Sequence, residues 1–126
     1  MALSANVMRG GFAAGQATAI GGTKFASIAA AGSTQTDATA VTSDIAIVTA
    51  ADGTKGVILP AAQPGDSVEL FNNTASTLKV YPPTGAAITV NGTGTGSANA
   101  AFSHLTFKVA RYTCLSSTQW FVNVSA

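Results

Sequence analysis

From residue 41 onward, large apolar side chains alternate with polar ones in short runs separated by turn residues. SVELF (67–71) puts Val68 and Leu70 on one face and Glu69 and Phe71 on the other, the period-two pattern of a strand with one buried face. TLKVY (77–81) repeats it, with Leu78 and Val80 toward a core and Lys79 and Tyr81 on the other side. Pro82-Pro83 ends that strand, because neither residue can donate to a ladder. Upstream, SDIAIVTA ends at Asp52-Gly53, a hairpin-type turn, and KGVILP reads as a buried strand followed by a turn at Pro64-Gly65.

Downstream, AAITV is closed by Asn91-Gly92, and TGTGSANA is a loop. FSHLTFKVARYTCL has the length of one bent strand or two, with Leu105, Phe107 and Val109 on one face and Thr106 and Lys108 on the other. After a turn at Ser116 to Thr118, QWFVNVS aligns Trp120, Val122 and Val124. Seven or eight short strands at this spacing, with no sustained helical period, predict an all-β domain over residues 41–126. The expected architecture is an antiparallel β-sandwich or small barrel, jelly-roll-like.

Residues 1–40 follow a different pattern. Ala, Gly, Ser and Thr dominate, with isolated large residues and the pairs Gly10-Gly11 and Gly21-Gly22, which weaken helix and strand alike. KFASIAAAG ends in Gly like a helix C-cap and admits a short helix over Lys24 to Ala31. The segment is expected to be an extended N-terminal arm that orders on a partner surface. Arg9, Phe12, Ile20, Lys24, Phe25 and Ile28 are its candidate partner contacts.

Composition sharpens the picture. Apolar residues make up 47% of the 126-residue chain, enough for one core, but charged residues only 9%, against about 25% in an ordinary soluble domain. Such a surface has little electrostatic protection against association, which suits a chain that is covered in an assembly. The six basic residues are scattered and the net charge is +1, so no patch predicts nucleic-acid binding. No secretory signal is evident, and glycines and prolines interrupt the uncharged stretch from Val80 to Ser103, so no membrane helix is expected.

Candidate chemistry is sparse. His104 is the single histidine and is expected on the polar face of a strand; Cys114, the single cysteine, reads as a small buried hydrophobe. One His and one Cys are too few for a zinc site. Four of the five acids (Asp37, Asp44, Asp52, Asp66, Glu69) lie in or beside turns. NGTGTGSANA lacks the lysine and the following helix of a phosphate loop. Asn72, Asn91 and Asn123 open glycosylation-type triplets of the kind that a Ser/Thr-rich chain produces by chance. No catalytic residue, metal or cofactor is therefore expected. Phe71, Tyr81, Tyr112 and Phe121 could form an outward aromatic row of the kind that stacks on sugars.

Leu59-Pro60, Pro64-Gly65, the strand Val68 to Asn72, Leu78 to Pro82, Asn91-Gly92 and Trp120 together resemble a small β-domain of tailed-bacteriophage virion proteins, over residues 55–126. Such modules resemble head decoration (cement) and head-fibre proteins. A chain this short, beginning at Met and without a shaft, is closer to the free-standing decoration type. The resemblance implies no enzyme activity. It implies a homo-oligomer, most often a trimer, on the outside of a phage head, with the major capsid protein as partner. A fibre or adhesin module that binds host-surface glycan is the alternative.

Overall fold

The structure, a computed structural model, describes residues 25–90 and 94–125. Among these there is no helix, and the all-β class expected from the alternation is what the chain adopts. The strands are Phe25–Ala29 (β1), Thr39–Ala40 (β2), Ile45–Ala50 (β3), Gly56–Ile58 (β4), Ser67–Asn72 (β5), Leu78–Tyr81 (β6), Ala87–Val90 (β7), Gly94–Thr95 (β8), Phe102–His104 (β9), Val109–Ser116 (β10) and Gln119–Val124 (β11). A seven-stranded sheet has the order β1-β3-β5-β10-β11-β7-β8, and a four-stranded sheet the order β2-β4-β6-β9.

Both sheets are mixed rather than antiparallel. From β1 to β7 the chain alternates between them, so it returns to each sheet running in the same direction as before. β1, β3 and β5 are parallel neighbours in one sheet, and β2, β4 and β6 in the other. Among the described strands only β7–β8 and β10–β11 are sequence-consecutive strands that pair. The Asp52-Gly53 turn is therefore not a hairpin: it carries the chain from β3 in the large sheet to β4 in the small one. Asp52 Oδ1 fixes it by accepting from the Thr54 and Lys55 amides at 2.9 and 3.1 Å and from the Thr54 hydroxyl at 2.7 Å. The Pro64-Gly65 turn matches expectation. Gly65 has φ +93° and the Asp66 amide donates to the Gln63 carbonyl at 3.1 Å, a type II arrangement that needs glycine at its third position.

The sheets share one core. Ala46, Val48, Val68, Leu70, Tyr112, Trp120 and Val122 enter it from the large sheet, and Val57, Leu78 and Val80 from the small one. The alternation in β5 and β6 is as read, with Val68, Leu70, Leu78 and Val80 all inward. Tyr81 departs from it. Although it follows Val80, it is enclosed, because residues 33–37 lie over it: its hydroxyl donates to the Ser33 carbonyl at 3.1 Å, and the Gln35 amide donates to the Pro82 carbonyl at 2.7 Å.

That contact also corrects the boundary drawn at residue 40. Residues 25–40 belong to the β-fold: β1 pairs with β3 in register from Phe25↔Ile45, and β2 pairs with β4. Where a short helix was allowed there is a strand, since Ile28 and Ala30 are held by the core and the Ala30 amide donates to the Ala50 carbonyl at 2.9 Å.

Candidate functional site

The connection from β9 to β10, residues 105–108, is expected as strand with Leu105, Phe107 and Val109 on one face. It is a tight turn, and the Leu105 and Phe107 side chains point out, 55% and 66% exposed. Phe107 has φ +55°. A bulky L-residue in that region costs about 1–2 kcal/mol, and such a conformation persists only where the surroundings over-determine it.

The surroundings here are a buried polar network. Asn72, at the inward end of β5, donates its side-chain amide to the carbonyls of Ser76, His104 and Leu105 at 2.9, 3.2 and 3.1 Å, and its Oδ1 accepts from the Thr74 hydroxyl at 2.7 Å. Its backbone amide donates to the Lys108 carbonyl at 3.0 Å. His104 is fully buried, not on a polar face, because both ring nitrogens are satisfied inside. Its Nε2 lies 2.7 Å from the Lys108 carbonyl, which can only accept, so Nε2 carries the proton and Nδ1 accepts from the Tyr112 hydroxyl at 2.9 Å. Burial holds the imidazole below its ordinary pKa, outweighing the Lys108 bond that favours the charged ring, and burial pushes the Tyr112 phenol well above its ordinary value. The network is a clamp on both ends of the turn, and it contains no group poised to transfer a proton to a substrate.

Phe107 stands at the edge of the outward face of the large sheet. Parity and register define that face row by row. Ser27, Ile47, Phe71 and Val109 form one row, and Phe25, Ile45, Glu69, Arg111 and Asn123 the next. Ile47, Phe71 and Val109 of the first row, with Phe107, Asn72, Asn73 and Lys108, bound a groove of about 220 Å³. Glu69, Arg111 and Asn123 of the second row, with Val109, Val124 and Ser125, border a shallower recess of about 330 Å³. Arg111 reaches Glu69 at 3.0 Å, an exposed pair of small energetic value. The face thus carries half-buried Ile45, Ile47, Phe71 and Val109 between the exposed Phe25 and Phe107, together with the Glu69–Arg111 pair and, at the groove, Lys108. A cluster of partly exposed apolar side chains flanked by two exposed phenylalanines is a candidate interaction surface.

Of the residues expected to touch a partner, Phe25 is on this face, 65% exposed, at the start of edge strand β1. Ile28 is turned inward against the core and is not available as an anchor. Arg9, Phe12, Ile20 and Lys24 lie outside the described residues. Phe107, Ile47 and Val109 were missed as surface residues. Their apolar character reads as core, and only the pairing of β3, β5 and β10 places them outside. The expected aromatic row does not form: Tyr112 is fully buried and Tyr81 nearly so, leaving Phe71 and Phe121 half-buried on the outer face.

Among the described residues no three His, Cys, Asp or Glu side chains come together to hold a metal. Cys114 is buried as expected, and burial raises its thiol pKa, with its Sγ donating to the Ser116 carbonyl at 3.1 Å. Asn72, internally bonded and 1% exposed, has no surface for a glycan. No family model matches the chain, and neither a curated protein nor a solved structure matches it at a significant level.

Proposed function

We propose that this chain is a bacteriophage head decoration (cement) protein, which binds the outer surface of the assembled head and bridges neighbouring major capsid protein subunits. The observation that carries the reading is the outward face of the large sheet: exposed Phe25 and Phe107 and half-buried Ile45, Ile47, Phe71 and Val109 all lie on it, in a chain with only 9% charged residues. A surface this apolar is suited to being covered in an assembly, and the resemblance over residues 55–126 supplies the kind of assembly. The residues ahead of β1 are the shell-contacting part of the proposal. Individually weak contacts become avid when several copies are joined, because each later contact is intramolecular. Contacts that exist only on the assembled shell stabilise it by mass action.

A fibre or adhesin module stacking on host glycan would draw on exposed Tyr and Trp, and the chain's two tyrosines and one tryptophan, Tyr81, Tyr112 and Trp120, are enclosed. The test is deletion of residues 2–22, which stops short of β1. The shortened chain is expected to keep its β-sheet spectrum and thermal transition and to lose occupancy on heads. Full occupancy by a folded deletion variant would remove the arm from the account.

A further inference from the structure

We infer that the outward face of the large sheet closes onto the same face of a second copy, with Phe107 of each chain seated in the groove of the other. The inference takes from the shell reading only that the chain associates with itself.

A twofold contact requires one patch to carry both a projection and its recess. Phe107 and the groove it borders meet that requirement on a single face. The ring is 66% exposed at the rim, and the groove beside it, walled by Ile47, Phe71 and Val109, measures about 220 Å³. An apolar cavity of roughly 150 Å³ takes up benzene, so the groove has room for one phenyl ring. A rotation axis beside the rim brings the partner's Phe107 into it and returns the favour to this chain. A head-to-tail ring would instead need the projection and the recess on different faces.

The charges fit the same operation. Glu69 and Arg111 face each other across β5 and β10, one row from the Phe71↔Val109 pair that floors the groove. Turning a second copy over this face about an axis that runs along the strands between β5 and β10 sets each carboxylate beside the partner's Arg111 and each guanidinium beside the partner's Glu69. Ser27, Ile45 and Asn123 add no charge to these rows, and Lys108 is the one further cation at the groove. A strongly charged partner would find little here to recognise, whereas an identical face finds an opposite charge at each end of the pair. The clamp on residues 104–108 has the corresponding role. It holds Phe107 in a strained conformation before contact, so less ordering remains to be done on association.

Sedimentation velocity over a micromolar concentration series tests this with the full chain. The wild type is expected to dimerise. Phe107→Ala is expected to raise the dimer Kd about 30-fold or more, as truncation of an aromatic hot spot does, with an unchanged β-sheet spectrum. Glu69→Arg and Arg111→Glu are each expected to be monomeric alone and to form a heterodimer when mixed, since only the mixture sets an all-basic pair against an all-acidic one. A Glu69–Arg111 pair acting only within one chain would give no such recovery. A wild-type monomer or trimer, an unchanged Kd for Phe107→Ala, or a mixture that stays monomeric would each overturn the inference. If the wild type is monomeric and Phe107→Ala loses binding to heads, the face belongs to the shell and this inference fails while the shell reading stands. A dimer that ignores heads supports the inference and removes the shell reading.

Discussion

Replacing Phe107 by glycine separates a clamped turn from a buried strand, because the two give very different energies. In the turn, three terms partly cancel. Glycine holds φ +55° without the roughly 1–2 kcal/mol of backbone strain that phenylalanine carries there. The freer unfolded chain of glycine returns about 0.5–1 kcal/mol of that. With 66% of Phe107 exposed, only about a third of its surface is lost from packing. That is roughly 70 Å² of a side chain that buries about 150–250 Å² when enclosed, worth about 1.7 kcal/mol. The expected net change is a loss of about 0.2–1.7 kcal/mol. Had Leu105, Phe107 and Val109 formed the inner face of a strand, loss of the ring would cost about 3–5 kcal/mol. Urea unfolding followed by fluorescence suits the measurement, since Trp120 is the single tryptophan and is fully buried. It is best run at protein concentrations low enough to dissociate any self-contact. A loss of 3 kcal/mol or more would refute the turn and everything built on it.

The clamp and the histidine give two further expectations. Asn72→Ala removes the amide that holds the Ser76, His104 and Leu105 carbonyls. At about 1 kcal/mol per net bond, plus the cost of carbonyls left unpaired, stability should fall by about 2–4 kcal/mol; a shift in the urea midpoint worth under 0.5 kcal/mol would show that the network is not a clamp. His104 is held neutral, with its pKa lowered from 6.5 by burial. The unfolded chain therefore takes up a proton that the folded chain refuses. Stability should be level above pH 6.5 and fall below it, toward the lowered folded pKa, by up to about 1.4 kcal/mol per pH unit. His104→Gln should flatten that slope in urea titrations between pH 4.5 and 7.5, and an unchanged slope would assign it to other groups.

Much of the fold was legible where the alternation was strict. In SVELF and LKVY every second residue is a large aliphatic, a one-residue slip would turn Leu70 or Val80 outward, and so the facing is determined locally. Strand direction was not legible. Asp52-Gly53 makes the same turn whether the next strand pairs beside the last or crosses to another sheet, and the choice rests on long-range burial of Val57 and Val48. β1 was not legible because FASIA has small residues where a strand signal needs large ones; its place depends on Ile28 meeting a core built from elsewhere. The candidate site was least legible of all. Nothing in HLTFK marks a turn, and the residue that makes it one, Asn72, is 33 positions from Leu105. The exposed face has the same origin: Ile47, Phe71 and Val109 are apolar residues in three separate strands, and only their register makes them a surface.

The most direct measurement is density-gradient sedimentation of the full-length chain with cognate assembled heads and, separately, with unassembled capsid subunits. The account predicts that the chain bands with the heads at saturating occupancy, raises the temperature at which they disrupt, and ignores the free subunits. A chain that stays at the top of the gradient with intact heads, or that binds only host-surface polysaccharide in a parallel pull-down, would contradict it.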